Sequence, residues 1–206
     1  MFTTISELDV VNSCLGAIGM NPVTGTTSTN PNVTAAITVF NRVSRAIQTQ
    51  GWWFNQEYKL LLQPETDGTI LLPEGTLKFY PTHVHQAYVI RAGKLYDPVK
   101  HTNVIGQAVK GDLIMQFDIQ DIPITAADWI MKQTTYEFYR NDDGDKDKVM
   151  DLKLEAERAK MECRKENFSV AKMNSQDRPI NLLMMSRIRG PLGNVGAGVN
   201  PALPGG

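Results

Sequence analysis

Cysteine is nearly absent from this chain of 206 residues, which holds only Cys14 and Cys163. They lie far apart and outside any CxxC or His-rich context, which excludes a disulfide framework and a thiolate zinc site and leaves buried free thiols as the expectation. Histidine is almost as scarce. His83 and His85 could share one side of a strand and be joined by His101 as a zinc set, but histidines in turns around Pro81 are the favoured reading. The formal net charge is only −1, so the electrostatic attraction that drives non-specific nucleic-acid binding is missing. Nowhere do about 18 apolar residues run together, which excludes a membrane-spanning helix. The opening MFTTISELDVVNSCLGAIGM lacks the basic stretch and continuous apolar run of a secretory signal. The expectation is a chain without a membrane anchor, made and folded in the cytoplasm.

Motifs of catalysis are lacking too. No GxSxG, HExxH, phosphate-binding glycine loop or Cys/His arrangement occurs. Glu57, Glu65, Asp67 and Glu74 are acids on which glycoside hydrolysis could draw, since that chemistry needs two carboxylates flanking a sugar bond. Among 22 acidic residues such pairs arise without purpose. The run from Asn141 to Asp147 misses the calcium-loop register and its terminal glutamate. It reads as a solvated turn, with Asp145 and Asp147 favoured by a helix N-terminus. No catalytic, cofactor-binding or metal-binding residue is assigned, and the chain reads as a non-enzyme.

What is present is an ordinary globular composition, 42% apolar and 21% charged, enough for one domain with a modest insertion and a tail. Thr4 and Glu7 have capping-box spacing, and Leu8, Val11, Leu15 and Ile18 follow at helical spacing before Gly19. Asn30 and Pro31 open a second helix of about five turns, whose face is Val33, Ile37, Phe40, Val43 and Ile47. β-type runs follow: Tyr58 to Leu62, Thr69 to Leu72, Ala87 to Ile90, Lys94 to Tyr96 and Leu113 to Phe117. Asp67-Gly68, Pro73-Glu74-Gly75, Ala92-Gly93 and Lys110-Gly111-Asp112 separate them as turn signals.

Thr125 and Asp128 have cap spacing for a third helix carrying Trp129, Ile130, Tyr136 and Phe138 or Tyr139. A long fourth helix after Gly144 carries a packing seam of Val149, Leu152, Ala156, Ala159, Cys163 and Val170, with the two alanines permitting close approach. Its many charges read as a solvated face, in which Arg158 and Glu162 are spaced for an i,i+4 contact. Trp52, Trp53 and Phe54 read as a hydrophobic joint where helix meets sheet, in preference to a stacking platform for bases or sugars.

The fold class expected is α+β: an antiparallel bundle of about four helices, residues 1–56 and 119–173, with an inserted antiparallel β module, 57–118. Residues 174–206 hold three arginines, one aspartate, an apolar patch from Ile180 to Met185 and a Gly/Pro-rich finish. With too few apolar residues for its own core, this stretch is expected to be an extended arm that orders on a partner.

The segment Ile47-Gln48-Thr49-Gln50-Gly51-Trp52-Trp53-Phe54-Asn55, with Asn41 before it and Leu72-Pro73 after, resembles the tail tubular protein A family of short-tailed phages. Ile18-Gly19-Met20-Asn21-Pro22-Val23 is similar to the end of that family's opening helix, Arg91 to Asp97 to its hairpin, and Glu155-Ala156-Glu157 to part of its last helix. The likeness spans about residues 6–170. It implies a virion tail protein forming a dodecameric ring between portal and tail nozzle, with an attachment surface for a tail fibre or spike. Genomic DNA would pass through such a ring without sequence-specific binding, which suits a near-neutral body. The arm would then dock to the portal through Ile180, Leu182, Leu183, Met184, Met185, Arg187, Ile188 and Arg189, twelve arms acting together by avidity. A tail protein that also hydrolyses polysaccharide or peptidoglycan, and a generic head-completion connector, remain as alternatives.

Overall fold

The computed structural model describes residues 4–27, 29–82, 87–141 and 145–173. The chain divides into two compact units, Met1–Phe168 and Ser169–Gly206. The first holds the sheets and nearly all of the helical structure, and the second is described only through Met173.

The element order is α1 (Glu7–Ala17), α2 (Pro31–Gln48), β1 (Gln56–Leu62), β2 (Thr76–Pro81), β3 (Val89–Arg91), β4 (Lys94–Tyr96), β5 (Val109–Met115), α3 (Ile124–Asn141) and α4 (Lys146–Met173). Four helices with a small antiparallel sheet module between the second and third match the α+β class expected. The arm at 174–206 lies outside the described residues.

The cap of α1 falls two residues later than the spacing suggested. Ser6 accepts from the Asp9 amide at 3.2 Å and Asp9 accepts from the Ser6 amide at 2.8 Å, a capping box that holds the Asp9 carboxyl below its ordinary range. The stretch Thr4 to Asp9 contains both candidate boxes, and spacing alone cannot separate them. Asn30 caps α2 as expected, with Pro31 in the first turn. Thr125 does not cap α3: it lies inside the helix, which starts after Pro123, and its hydroxyl donates to Glu166 of α4 at 2.5 Å.

α1, α2 and α3 pack around two apolar clusters. Val11, Cys14, Leu15, Val33, Ala36 and Phe138 fill one end. At the other, Val10, Phe40, Val43 and Ile47 meet Trp129, Ile130, Ala159 and Cys163. On α4, Ala156, Ala159 and Cys163 are buried and Val149, Leu152 and Val170 half-buried.

The main sheet runs β1-β5-β2, with β5 antiparallel to both neighbours; β3 and β4 form a separate hairpin. That hairpin turns on Ala92 and Gly93, both at positive φ (48° and 72°), the pair of conformations a two-residue type I′ turn needs. β1 bulges between Glu57 and Leu60; Lys59 there has φ 54° and its amide turns aside to the Asp112 carboxylate at 2.7 Å. Leu62, Ile70, Phe79, Leu95, Val109 and Leu113 form the core of this module.

Three sequence expectations for the sheet are corrected. Thr69 and Leu71 make isolated bridges, to Val104 and Lys94, and no strand of their own. β2 was not expected, because Pro81 masks it; the proline stands at the end of an edge strand, where a missing amide costs least. Lys110-Gly111-Asp112 is not a turn but the middle of β5. Gly111 is required there for space: a Cβ would lie 2.3 Å from the Phe79 ring and 2.6 Å from the Tyr80 carbonyl.

Candidate functional site

The sequence concentrates unusual side chains where α2 gives way to β1, and the structure explains why. α2 ends at Gln48, and Gly51, at φ 79°, reverses the chain. A side chain there would be strained, and its Cβ would lie 2.7 Å from Ile114 Cδ1 of β5. The reversal folds Trp52 back on the helix it has just left. Its indole N–H donates to the Ile47 carbonyl at 2.8 Å, and its ring meets Trp129 of α3 edge to face at 5.2 Å, a favoured aromatic geometry. Trp53 and Phe54 stand edge to face at 5.1 Å and are half-buried. The Trp53 amide donates to Asn167 of α4 at 3.1 Å. These three aromatics, expected as a joint, thus touch α2, α3 and α4.

Sequence reasoning did not assign the two amides that lock this joint. Gln48 is fully buried; its Nε2 donates to the Phe117 carbonyl at 2.9 Å and to Ser44 Oγ at 3.0 Å, and its Oε1 accepts from the Phe117 amide at 2.8 Å. Asn55, also buried, accepts from the Trp52 amide at 2.7 Å and donates to the carbonyls of Gln48 at 2.8 Å and Met115 at 2.7 Å. The Met115 amide donates in turn to the Asn55 carbonyl at 2.9 Å. Both chain passages between bundle and sheet, α2 to β1 and β5 to α3, are therefore tied to each other by one satisfied polar network. Its signal was present in the sequence as Gln48 and Asn55 within the Ile-Gln…Gly-Trp-x-Phe-Asn segment.

Among the described residues, the groups on which reactive chemistry could draw are exposed or already engaged. A cleft of about 190 Å³ beside the joint is lined by Glu7, Phe40, Asn41, Ser44 and Gln116 to Gln120; the Ser44 hydroxyl is already engaged by Gln48. Glu57, Glu65, Asp67 and Glu74 are all exposed. Asp67 accepts from the Thr69 amide and hydroxyl at 2.8 and 2.7 Å, which hold its carboxyl below the ordinary range while closing a turn. Burial pushes the Cys14 thiol up to about 11 and the Cys163 thiol to about 12, so neither carries the thiolate a nucleophile needs. Among the described residues no group of three His, Cys, Asp or Glu could hold a metal, and no helix is long and apolar enough to cross a membrane. His101 is exposed at a turn; His83, His85, Asp142, Asp143 and Gly144 lie outside the described residues, as do Ile180, Leu182, Leu183, Met184, Met185, Arg187, Ile188 and Arg189.

The family model for tail tubular proteins matches residues 8–173, nearly all of the described chain. The chain belongs to the tail tubular protein family. Tail tubular protein A of Klebsiella phage KP34 is 31% identical to it, in an alignment covering 81% of this chain and 91% of the relative. As a member of that family, the chain is a structural component of the virion tail of a short-tailed phage.

Proposed function

We propose that this tail tubular protein is a non-catalytic adaptor, twelve copies of which form a ring joining the portal to the tail nozzle. The ring offers an attachment surface for a tail fibre or spike, and genomic DNA passes through its lumen. The observation that carries the reading is the family match over residues 8–173, which takes in both the bundle and the sheet module fixed to it. The net charge of −1 supports passage of DNA without strong phosphate contacts. Division of labour follows the folds: bundle for ring contacts, sheet module toward nozzle or fibre, residues 174–206 toward the portal.

The arm is the part whose role is most directly tested. A chain ending at residue 173 keeps every hydrogen bond of the joint, and is expected to fold and to lose portal binding in a pull-down against the full chain. Undiminished portal binding by the shortened chain would remove the arm's assigned role. No observation favours a hydrolase: the four acids are exposed, and glycan release by the purified chain is expected to be nil.

A further inference from the structure

α4 has two apolar faces, and the core uses only one. Met150, Leu154, Met161 and Phe168 are 56%, 43%, 66% and 59% exposed. At about 100° per residue they fall within roughly 40° of one another on the helix, on the side opposite Ala159 and Cys163. The stripe extends some 27 Å, taking 1.5 Å per residue, and exposes apolar area on the order of 400 Å², the size of the largest patch on a typical monomer, which is often a functional surface.

We propose that this stripe seats on the outward face of α2 of a second copy, and that repetition of this contact closes the ring; the inference rests on the ring reading above. A stripe meeting its own counterpart would be an isologous contact and would stop at two copies, so a ring needs a different receiving face. α2 supplies one. α4 is tied to α1 by Lys148 donating to the Ala17 carbonyl at 2.5 Å, and to α3 by Thr125 and Glu166. α2 packs on the same two helices, and its exposed residues include Thr38, Asn41, Arg42, Arg45 and Ala46. This face is short at Thr38 and Ala46, its two arginines offer aliphatic stems on which methionine and phenylalanine can pack, and α2 contains no carboxylate.

Charge agrees as well. Glu157 is exposed within the stripe, between Leu154 and Met161. Arg42 is bound to Glu137 of its own chain at 2.8 Å, whereas the Arg45 guanidinium enters no ion pair among the described residues. Phe40, Val43 and Ile47 share a core cluster with Ala159 and Cys163, which sets α2 beside α4 across the same core. The proposed contact sets Glu157 of one copy against Arg45 of the next, a favourable and orienting pair.

The test uses full-length chains assembled with portal and nozzle proteins. Glu157→Cys and Arg45→Cys placed together are expected to give, on oxidation, a ladder of cross-linked chains, and neither alone is expected to cross-link. Met161→Glu with Phe168→Glu, at exposed positions that leave the thermal midpoint unchanged, is expected to abolish the ring. Glu157→Arg and Arg45→Glu should each weaken it, and the double variant restore it. Cross-linked pairs from Glu157→Cys alone, or rings that persist in the Met161→Glu, Phe168→Glu variant, would overturn the proposal while leaving the ring intact as a reading. Wild-type chains that form no ring with either partner would overturn both.

Discussion

Replacing Gln48 by leucine tests whether the joint is held by its hydrogen bonds or by its aromatics alone. The two side chains are similar in volume, so the substitution leaves little cavity. It removes three hydrogen bonds, two of them to Phe117, and leaves that residue's amide and carbonyl without their side-chain partner. At about 1–3 kcal/mol for each buried group left unsatisfied, less about 1 kcal/mol gained from the apolar side chain, the cost is about 3 kcal/mol. For a body of this size that lowers the thermal midpoint by about 6–12 °C. Gln48→Glu sharpens the test, because a carboxylate can still accept from the Phe117 amide but cannot donate to its carbonyl. Burial raises the new carboxyl's pKa, so protonation restores a donor and the deficit relative to wild type should shrink as pH falls from 8 to 5. Calorimetry of both variants beside an exposed control, Gln50→Leu, decides. A Gln48→Leu midpoint equal to that of the control would refute the network as a source of stability.

Four further outcomes follow from the same structure. Gly51→Ala combines positive φ with a clash against Ile114 and should cost about 2 kcal/mol or more, read from the urea midpoint. Gly111→Ala forces a methyl against the Phe79 ring and should cost about 1–3 kcal/mol, with the loss confined to the sheet in hydrogen exchange. Ala159→Leu overfills the contact between α4 and the core and should cost about as much, again by urea midpoint. Both thiols are raised by burial, to about 11 and 12, so in the unfolded chain they ionise first. Stability is expected to be constant with respect to them below pH 9 and to fall from there toward pH 11–12, and the Cys14→Ala, Cys163→Ala variant should show a shallower fall. A thiol reagent should label neither cysteine at pH 8 until denaturant is added.

Much of the helical half was legible because its signals are local: Asn30 with Pro31 opens α2, and the 3.6-residue recurrence of Val33, Phe40, Val43 and Ile47 gives its buried face. Where two local signals compete, as Thr4 with Glu7 against Ser6 with Asp9, only tertiary packing chooses. The sheet was harder because pairing is non-local. Gly111 has turn chemistry, and only the Phe79 ring across the sheet shows that its value is an absent side chain. β2 was hidden by Pro81, harmless on an edge strand. Gln48 and Asn55 are polar and carry no periodic signature, so their burial emerges only when β5 is laid against the end of α2. The outer stripe of α4 was readable as spacing, but Glu157 interrupts it and Lys153, Lys160 and Arg164 flank it, which made the helix look evenly solvated.

Whether the chain works as a ring between two tail partners is measured most directly by mass and symmetry. The purified chain would be mixed with its phage's portal and nozzle proteins, weighed by light scattering and imaged by electron microscopy. Twelvefold rings that carry both partners on opposite faces are the expected result. A chain that stays monomeric and binds neither would contradict it.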